Sequence, residues 1–183
     1  MSSLKERDNL FTGSEFKQKY GTEFYKMMNY DLRHYDFQYT EGLNVDTVEF
    51  DPTGSCKAGG LYFSKCGSSL RWCRTMEAFK IALVEIPDDA NVYVEPAQHA
   101  NQFPEKYKAN KIIIKIIDDD EALVLSFCQK SLDGLMLGPY WDYYNRRLHL
   151  FAADLGHLNV LEFIHPKIIQ RVSNKQAGKV CRI

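Results

Sequence analysis

Along the first two-thirds of the chain, apolar and polar positions alternate in short runs with a period of two. Beyond that they follow the wider spacing of helices. Glu23 to Tyr30 mixes aromatic and apolar residues with polar ones, as a half-buried strand does. Phe37-Gln38-Tyr39 is a second short strand feeding a turn at Gly42–Asp46, and Val48-Glu49-Phe50 continues extended into the turn signal Asp51-Pro52-Thr53-Gly54. Leu61-Tyr62-Phe63 is the next strand. Phe79 to Ile86, closed by the turn Pro87-Asp88-Asp89, then Asn91 to Glu95, then Lys111 to Ile117 supply three more. The last is apolar and β-branched enough for a central strand. No helix of about ten residues lies between these strands, so the sheet is expected to be mainly antiparallel.

The helices are marked by caps and breakers. Ser14 to Tyr20 reads as a short helix with Ser14 as N-cap and Gly21 as its stop. Ser68 to Met76 reads as another, capped by Ser68 or Ser69, with Leu70 and Cys73 on one face. Residues 1–9 form a polar, frayed terminus, and Pro96 to Lys108 a polar, exposed loop. After Ile117 the character changes. Asp118-Asp119-Asp120-Glu121 opens a helix reaching about Leu132 and broken by Asp133-Gly134; Trp141 to Asp154, a Gly156 turn and Leu158 to His165, ended by Pro166, complete the series. The expected fold class is α+β. A small, mainly antiparallel sheet with short helices spans 10–117, a helical segment spans 118–170, and a basic tail spans 171–183.

Composition narrows the partners. A chain of 183 residues can bury one ordinary core. With 23 Lys and Arg against 24 Asp and Glu, the formal charge is −1, which gives no general electrostatic pull toward nucleic acid or membrane. From Pro166 onward the charges are all basic: Lys167, Arg171, Lys175, Lys179 and Arg182. This reads as a solvated tail rather than a nucleic-acid arm. No apolar run reaches membrane length, the residues after Met1 are polar, and the five cysteines are odd in number without Cys-x-x-Cys spacing. A reducing, intracellular, non-secreted protein is expected.

Candidate chemistry gathers between Gln38 and Phe63, the densest run of Gly, Asn and Asp. Gln38, Asn44, Asp46, Cys56, Gly59 and Gly60, with Glu95 at a strand end, form a candidate ligand-binding set. The plainer reading is that Asn and Asp at such spacing satisfy the loop's own backbone. Cys56 beside His34 or His99, with Asp46 orienting the base, would make a thiol–imidazole pair; an inert buried thiol is the plainer alternative. Gly59-Gly60 lacks the Gly-Lys-Ser/Thr of a phosphate loop. The four acids at 118–121 suit a helix N-terminus better than a cation site, so no metal and no cofactor is expected. Tyr140, Trp141 and Tyr144 with Arg146 and Arg147 mix rings and cations as interface hot spots do, and equally as core packing does.

Two resemblances follow from these residues. Leu148-His149-Leu150-Phe151-Ala152-Ala153-Asp154-Leu155-Gly156-His157-Leu158 through Ile164 resembles an ankyrin repeat, with an Ala-Ala pair, Gly-His at the inter-helix turn and an apolar stripe. By that resemblance His157 bonds backbone and does no chemistry, and His149 is structural too. A repeat stack needs at least about three units to bury its faces. Here there is one clear unit, with a degenerate one at Ala122–Leu137. Separately, the order Gln38-Tyr39, Gly42-Leu43-Asn44-x-Asp46, Gly54-x-Cys56, Gly59-Gly60-Leu61-Tyr62-Phe63, Val84-x-Ile86-Pro87-Asp88-Asp89-Ala90-x-Val92-Tyr93 and Lys108-Ala109-x-Lys111-Ile112 resembles the domain preceding ankyrin repeats in proteins of mimivirus-like giant DNA viruses. It covers roughly residues 22–165.

The resemblance implies a viral protein of the host-cell cytoplasm or virion, and its ankyrin part implies viral or host protein partners. The expected function is a non-enzymatic interaction module, with a two-fold homodimer the simplest cover for the exposed apolar face of the helical part. The rival is a small-ligand or nucleotide-binding domain, such as an ADP-ribosyltransferase-like enzyme, for which Glu95 is the one candidate acid.

Overall fold

The computed structural model describes residues 9–34, 36–53, 57–70, 72, 79–96, 106–135, 141–167 and 169. Two compact units divide the chain, Met1–Ile117 and Asp118–Ile183.

In the first unit, β1 (Leu10–Thr12) leads into α1 (Gly13–Tyr20), followed by β2 (Phe24–Asn29), β3 (Arg33–His34), β4 (Phe37–Gln38), β5 (Gly42–Val45), β6 (Leu61–Phe63), the short α2 (Cys66–Ser69), β7 (Phe79–Glu85), β8 (Asn91–Val94), β9 (Tyr107–Ala109) and β10 (Lys111–Ile116). One four-stranded sheet has the order β1-β8-β9-β6 and a second the order β2-β7-β10-β5, while β3 and β4 form a separate ladder. All the pairings are antiparallel.

Two sheets appear where one is expected because the strand through residues 107–116 turns a corner at Asn110. Its first half pairs in one sheet and its second half in the other. Tyr25 and Ser64 exchange backbone hydrogen bonds of 2.8 and 3.0 Å, joining β2 to the end of β6. The ladders therefore run β9-β6-β2-β7-β10 and return through Asn110 to β9, which makes a small barrel-like enclosure. Inside it Phe16 from α1 meets Phe24, Phe63 and Tyr107 at ring centroid distances of 4.9 to 5.8 Å. Val84, Val92, Ile112 and Ile114 fill the rest of the core.

Several sequence expectations shift here. Leu10–Thr12, just past the polar terminus, forms a strand that the sequence pattern does not announce. The cap of α1 is Thr12 and not Ser14: the Thr12 hydroxyl accepts from Glu15 N–H, and the Glu15 carboxylate accepts from Thr12 N–H, a reciprocal capping box. Hydrogen bonds donated by the Thr12 N–H and hydroxyl hold the Glu15 carboxyl below its usual range. Val48–Phe50 joins no sheet. Lys106–Lys108, assigned to an exposed loop, is buried and enters β9, because Tyr107 and Ala109 alternate inward toward the core. The expected helix from Ser68 to Met76 falls largely outside the described residues.

The described elements of the second unit are helices: α3 (Glu121–Leu135), α4 (Trp141–Leu155) and α5 over residues 158–167. Pro166 lies within α5 rather than beyond its end, where a missing N–H forfeits a single intrahelical bond. At the α4–α5 corner, Gly156 takes φ 73°, Gly156 N–H bonds Ala153 O at 3.2 Å and His157 N–H bonds Ala152 O at 2.9 Å. That is a Schellman closure, and it needs a residue that tolerates positive φ. The acidic run has structural work. Asp120 Oδ1 accepts from Leu123 N–H at 3.1 Å, and Glu121 grips Asn159 through its backbone N–H and side-chain amide at 2.7 and 2.8 Å. His157 Nε2 meets the Asp118 carbonyl at 2.5 Å.

Candidate functional site

The Gly-rich stretch is built from side chains that bond their own neighbourhood. Asn44 is 4% exposed. Its Oδ1 accepts from Thr40 N–H at 2.9 Å, and its amide donates to the carbonyls of Thr40 (2.7 Å) and Gly42 (2.9 Å). Asp46 accepts from Val48 N–H at 3.0 Å and from Gly60 N–H at 2.5 Å, which pins the two ends of the loop together. Gly59 O accepts from Asp51 N–H at 2.9 Å. Gly60 has φ 145°, and a Cβ there would come within 2.4 Å of Lys108 Cγ, so this position requires glycine for both its backbone and its close approach. Gln38 donates to the carbonyls of Asp31, Leu32 and Tyr39 at 3.0 to 3.4 Å. Asn44, Asp46, Gly59 and Gly60 thus lie together, and Gln38 belongs to the β3–β4 hairpin. Glu95 is paired with Lys106 at 3.0 Å. Cys56 and His99 fall outside the described residues.

Beneath this loop lies a feature that the sequence reading missed. The register places Lys108 of β9 between Tyr62 of β6 and Tyr93 of β8, on the sheet face turned away from the core. Lys108 Nζ lies 5.6 and 5.9 Å from the two ring centroids and donates to Thr53 O at 3.1 Å. Two residues along the same strand, Lys106 Nζ sits 4.8 Å from the Tyr62 ring and 5.2 Å from the Trp72 ring while pairing with Glu95. Lys26 of β2 approaches from the other side. It donates to Tyr62 O at 2.7 Å and lies 4.6 Å from the Tyr39 ring centroid. Burial pushes the Lys26 amine down to about 7. Burial also lowers Lys108, countered by the carboxylates of Asp51 and Glu95 and reinforced by Lys106 and Lys57. His34 is held below its usual range by lost hydration and the charge of Lys26, and Tyr39 is raised by burial and by Asp46.

Chemically, this layer is a set of cations held against aromatic faces and carbonyls, with acids in the minority. Among the described residues, no group of three or more His, Cys, Asp and Glu side chains is arranged to hold a metal ion, and no helix is long and apolar enough to cross a membrane. A shallow groove lined by Lys17, Thr22 and Leu83–Ile86 contains none of the expected ligand residues.

In the second unit, Tyr144 is buried beside Tyr143 with ring centroids 5.4 Å apart. The Arg147 guanidinium lies 5.9 Å from the Tyr143 ring, and Arg146 is exposed. Tyr143, not Tyr144, is the ring offered to solvent. Tyr140 and the side chain of Trp141 fall outside the described residues.

The chain matches no protein-family model, no curated protein and no solved structure.

Proposed function

We propose that the chain is a non-enzymatic protein-interaction module with a viral or host protein as its partner. The observation that supports this most is the placement of exposed apolar side chains. In the first unit Leu43, Val45 and Val48 stand out within one short stretch, and in the second unit Tyr143, Leu150, Leu155 and Leu158 do so. The polar residues of the neighbouring loop are meanwhile bonded to the loop itself. Exposed apolar groupings of this kind mark association surfaces. The reading includes an ankyrin-like segment at 118–170, supported by the fully buried Ala152 and the Gly156-His157 corner. It also includes the giant-virus origin suggested by the sequence motifs, with the host cytoplasm or virion as the location. Affinity capture by the full chain from infected-cell extract tests it. Charged replacements at Leu43 and Val45, or at Leu150 and Leu158, are expected to release specific partners. Identical captured proteins for all variants would count against the module.

A second reading, binding of an anionic small ligand such as a nucleotide, draws support from Lys26 and Lys108, buried cations that donate to the carbonyls of Tyr62 and Thr53. The pairing of Glu95 with Lys106 weighs against a transferase role for that acid. Under the module reading, nucleoside phosphates and ADP-ribose donors leave the melting temperature unchanged; a saturable rise abolished by Lys108→Ala would favour the ligand reading.

A further inference from the structure

Among the described residues, strand β5 is an edge of the second sheet, bonded to β10 on one side only. Its register is Val45↔Lys111, Asn44↔Ile112, Leu43↔Ile113 and Gly42↔Ile114, and Asp46 N–H donates to Asn110 O at 2.9 Å. Backbone groups alternate sides along an antiparallel strand. The even-numbered residues therefore turn their N–H and C=O groups to β10. Leu43 and Val45 turn theirs to the open side, with side chains 57% and 52% exposed.

Edges of this kind are normally guarded by charges, prolines or bulges. Here Gly42-Leu43-Asn44-Val45 carries none. The flanking acids are turned to other work: Glu41 accepts from Ile116 N–H at 2.9 Å, and Asp46 holds Val48 and Gly60.

We propose, resting on the interaction-module reading, that β5 pairs antiparallel with β5 of a second copy of this chain about a two-fold axis at Asn44. The edge is complementary to itself in that register. Leu43 meets Val45 of the second copy, and each of these residues has both outward backbone groups free to bond the other. The apolar side chains lie side by side on one face. Gly42 then faces Asp46 and Glu41 faces Thr47, so no like charges oppose. The paired sheets become one continuous sheet. Because a four-residue strand buries less than the roughly 1,200 Å² of a stable interface, the pairing is reversible and concentration-dependent.

The test is light scattering of the full chain across a wide concentration range. Val45→Pro removes only an N–H that faces outward, so the ladder to β10 is kept, and it is expected to lower the association constant about tenfold or more. Val45→Thr, which retains the N–H, is expected to change it less than about threefold. Circular dichroism checks that Val45→Pro stays folded. A wild type that is monomeric throughout overturns the pairing. A dimer unaffected by Val45→Pro but lost on Leu150→Lys with Leu158→Lys also overturns it, yet leaves the interaction module standing. A monomeric wild type that holds a captured partner through Val45-sensitive contacts shows a foreign strand to be the occupant, and the self-pairing falls.

Discussion

Asn44 and Lys26 are both buried polar side chains of the first unit, at 4% and 7% exposure, and they sit in opposite circumstances. Every polar atom of the Asn44 amide has a backbone partner within 2.9 Å. Lys26 has three donors, one hydrogen-bonded carbonyl and one aromatic face. A buried amide that is fully bonded closes a turn at little net cost, whereas a buried ammonium without a carboxylate loses far more hydration than a carbonyl restores. Polarity and burial alone therefore do not tell what a side chain contributes. The count of satisfied atoms decides the sign.

The largest effect is expected at Lys26. Its amine is near 7 when folded and near its ordinary value of 10.5 when unfolded, so between those values the unfolded chain binds more protons. Stability is then lowest at and below neutral pH and rises as pH climbs from about 7 toward 10.5. Lys26→Met is expected to stabilise the protein by about 1–4 kcal/mol at pH 7 and to flatten this slope. Denaturant melts at several pH values measure both, and an unchanged slope would show that the amine is better solvated than its surroundings indicate.

At Asn44 the sign reverses. Asn44→Ala is expected to destabilise by about 1–3 kcal/mol, since it strands the Thr40 and Gly42 backbone groups. Gln38→Ala, whose partners lie at the surface, is expected to cost under about 0.5 kcal/mol. Equal losses at the two positions, read by the same denaturant melts, would remove the distinction between a buried fastener and an exposed one.

Much of the sheet was legible in the sequence, for local reasons. Phe79–Ile86 and Lys111–Ile117 have long enough β-branched runs to declare themselves, and β10 does lie between β7 and β5. The Thr12…Glu15 box is also written in the sequence, beside Ser14, which has the same capping chemistry. Strand β9 was hidden, because Lys106 and Lys108 make it look like loop. The hydrogen bond of the buried Lys108 amine goes to a carbonyl 55 positions away, at Thr53, and no local pattern encodes that. The corner at Asn110 was equally silent: its backbone and side chain bond across to Asn91, far off in the chain. The Gly, Asn and Asp residues around Asn44 mark an organised loop, but whether its polar atoms face a ligand or each other depends on backbone geometry that spacing does not fix.

The same strand that buries Asn44 presents Leu43 and Val45 outward, and the most direct test of the interaction account is residue-resolved amide hydrogen exchange at low and high protein concentration. At low concentration the Leu43 and Val45 amides are expected to exchange fast while the Asn44 amide, turned to β10, is protected; at high concentration Leu43 and Val45 gain protection. Fast exchange at Leu43 and Val45 at every concentration, or protection that is already complete in the dilute monomer, would contradict the account.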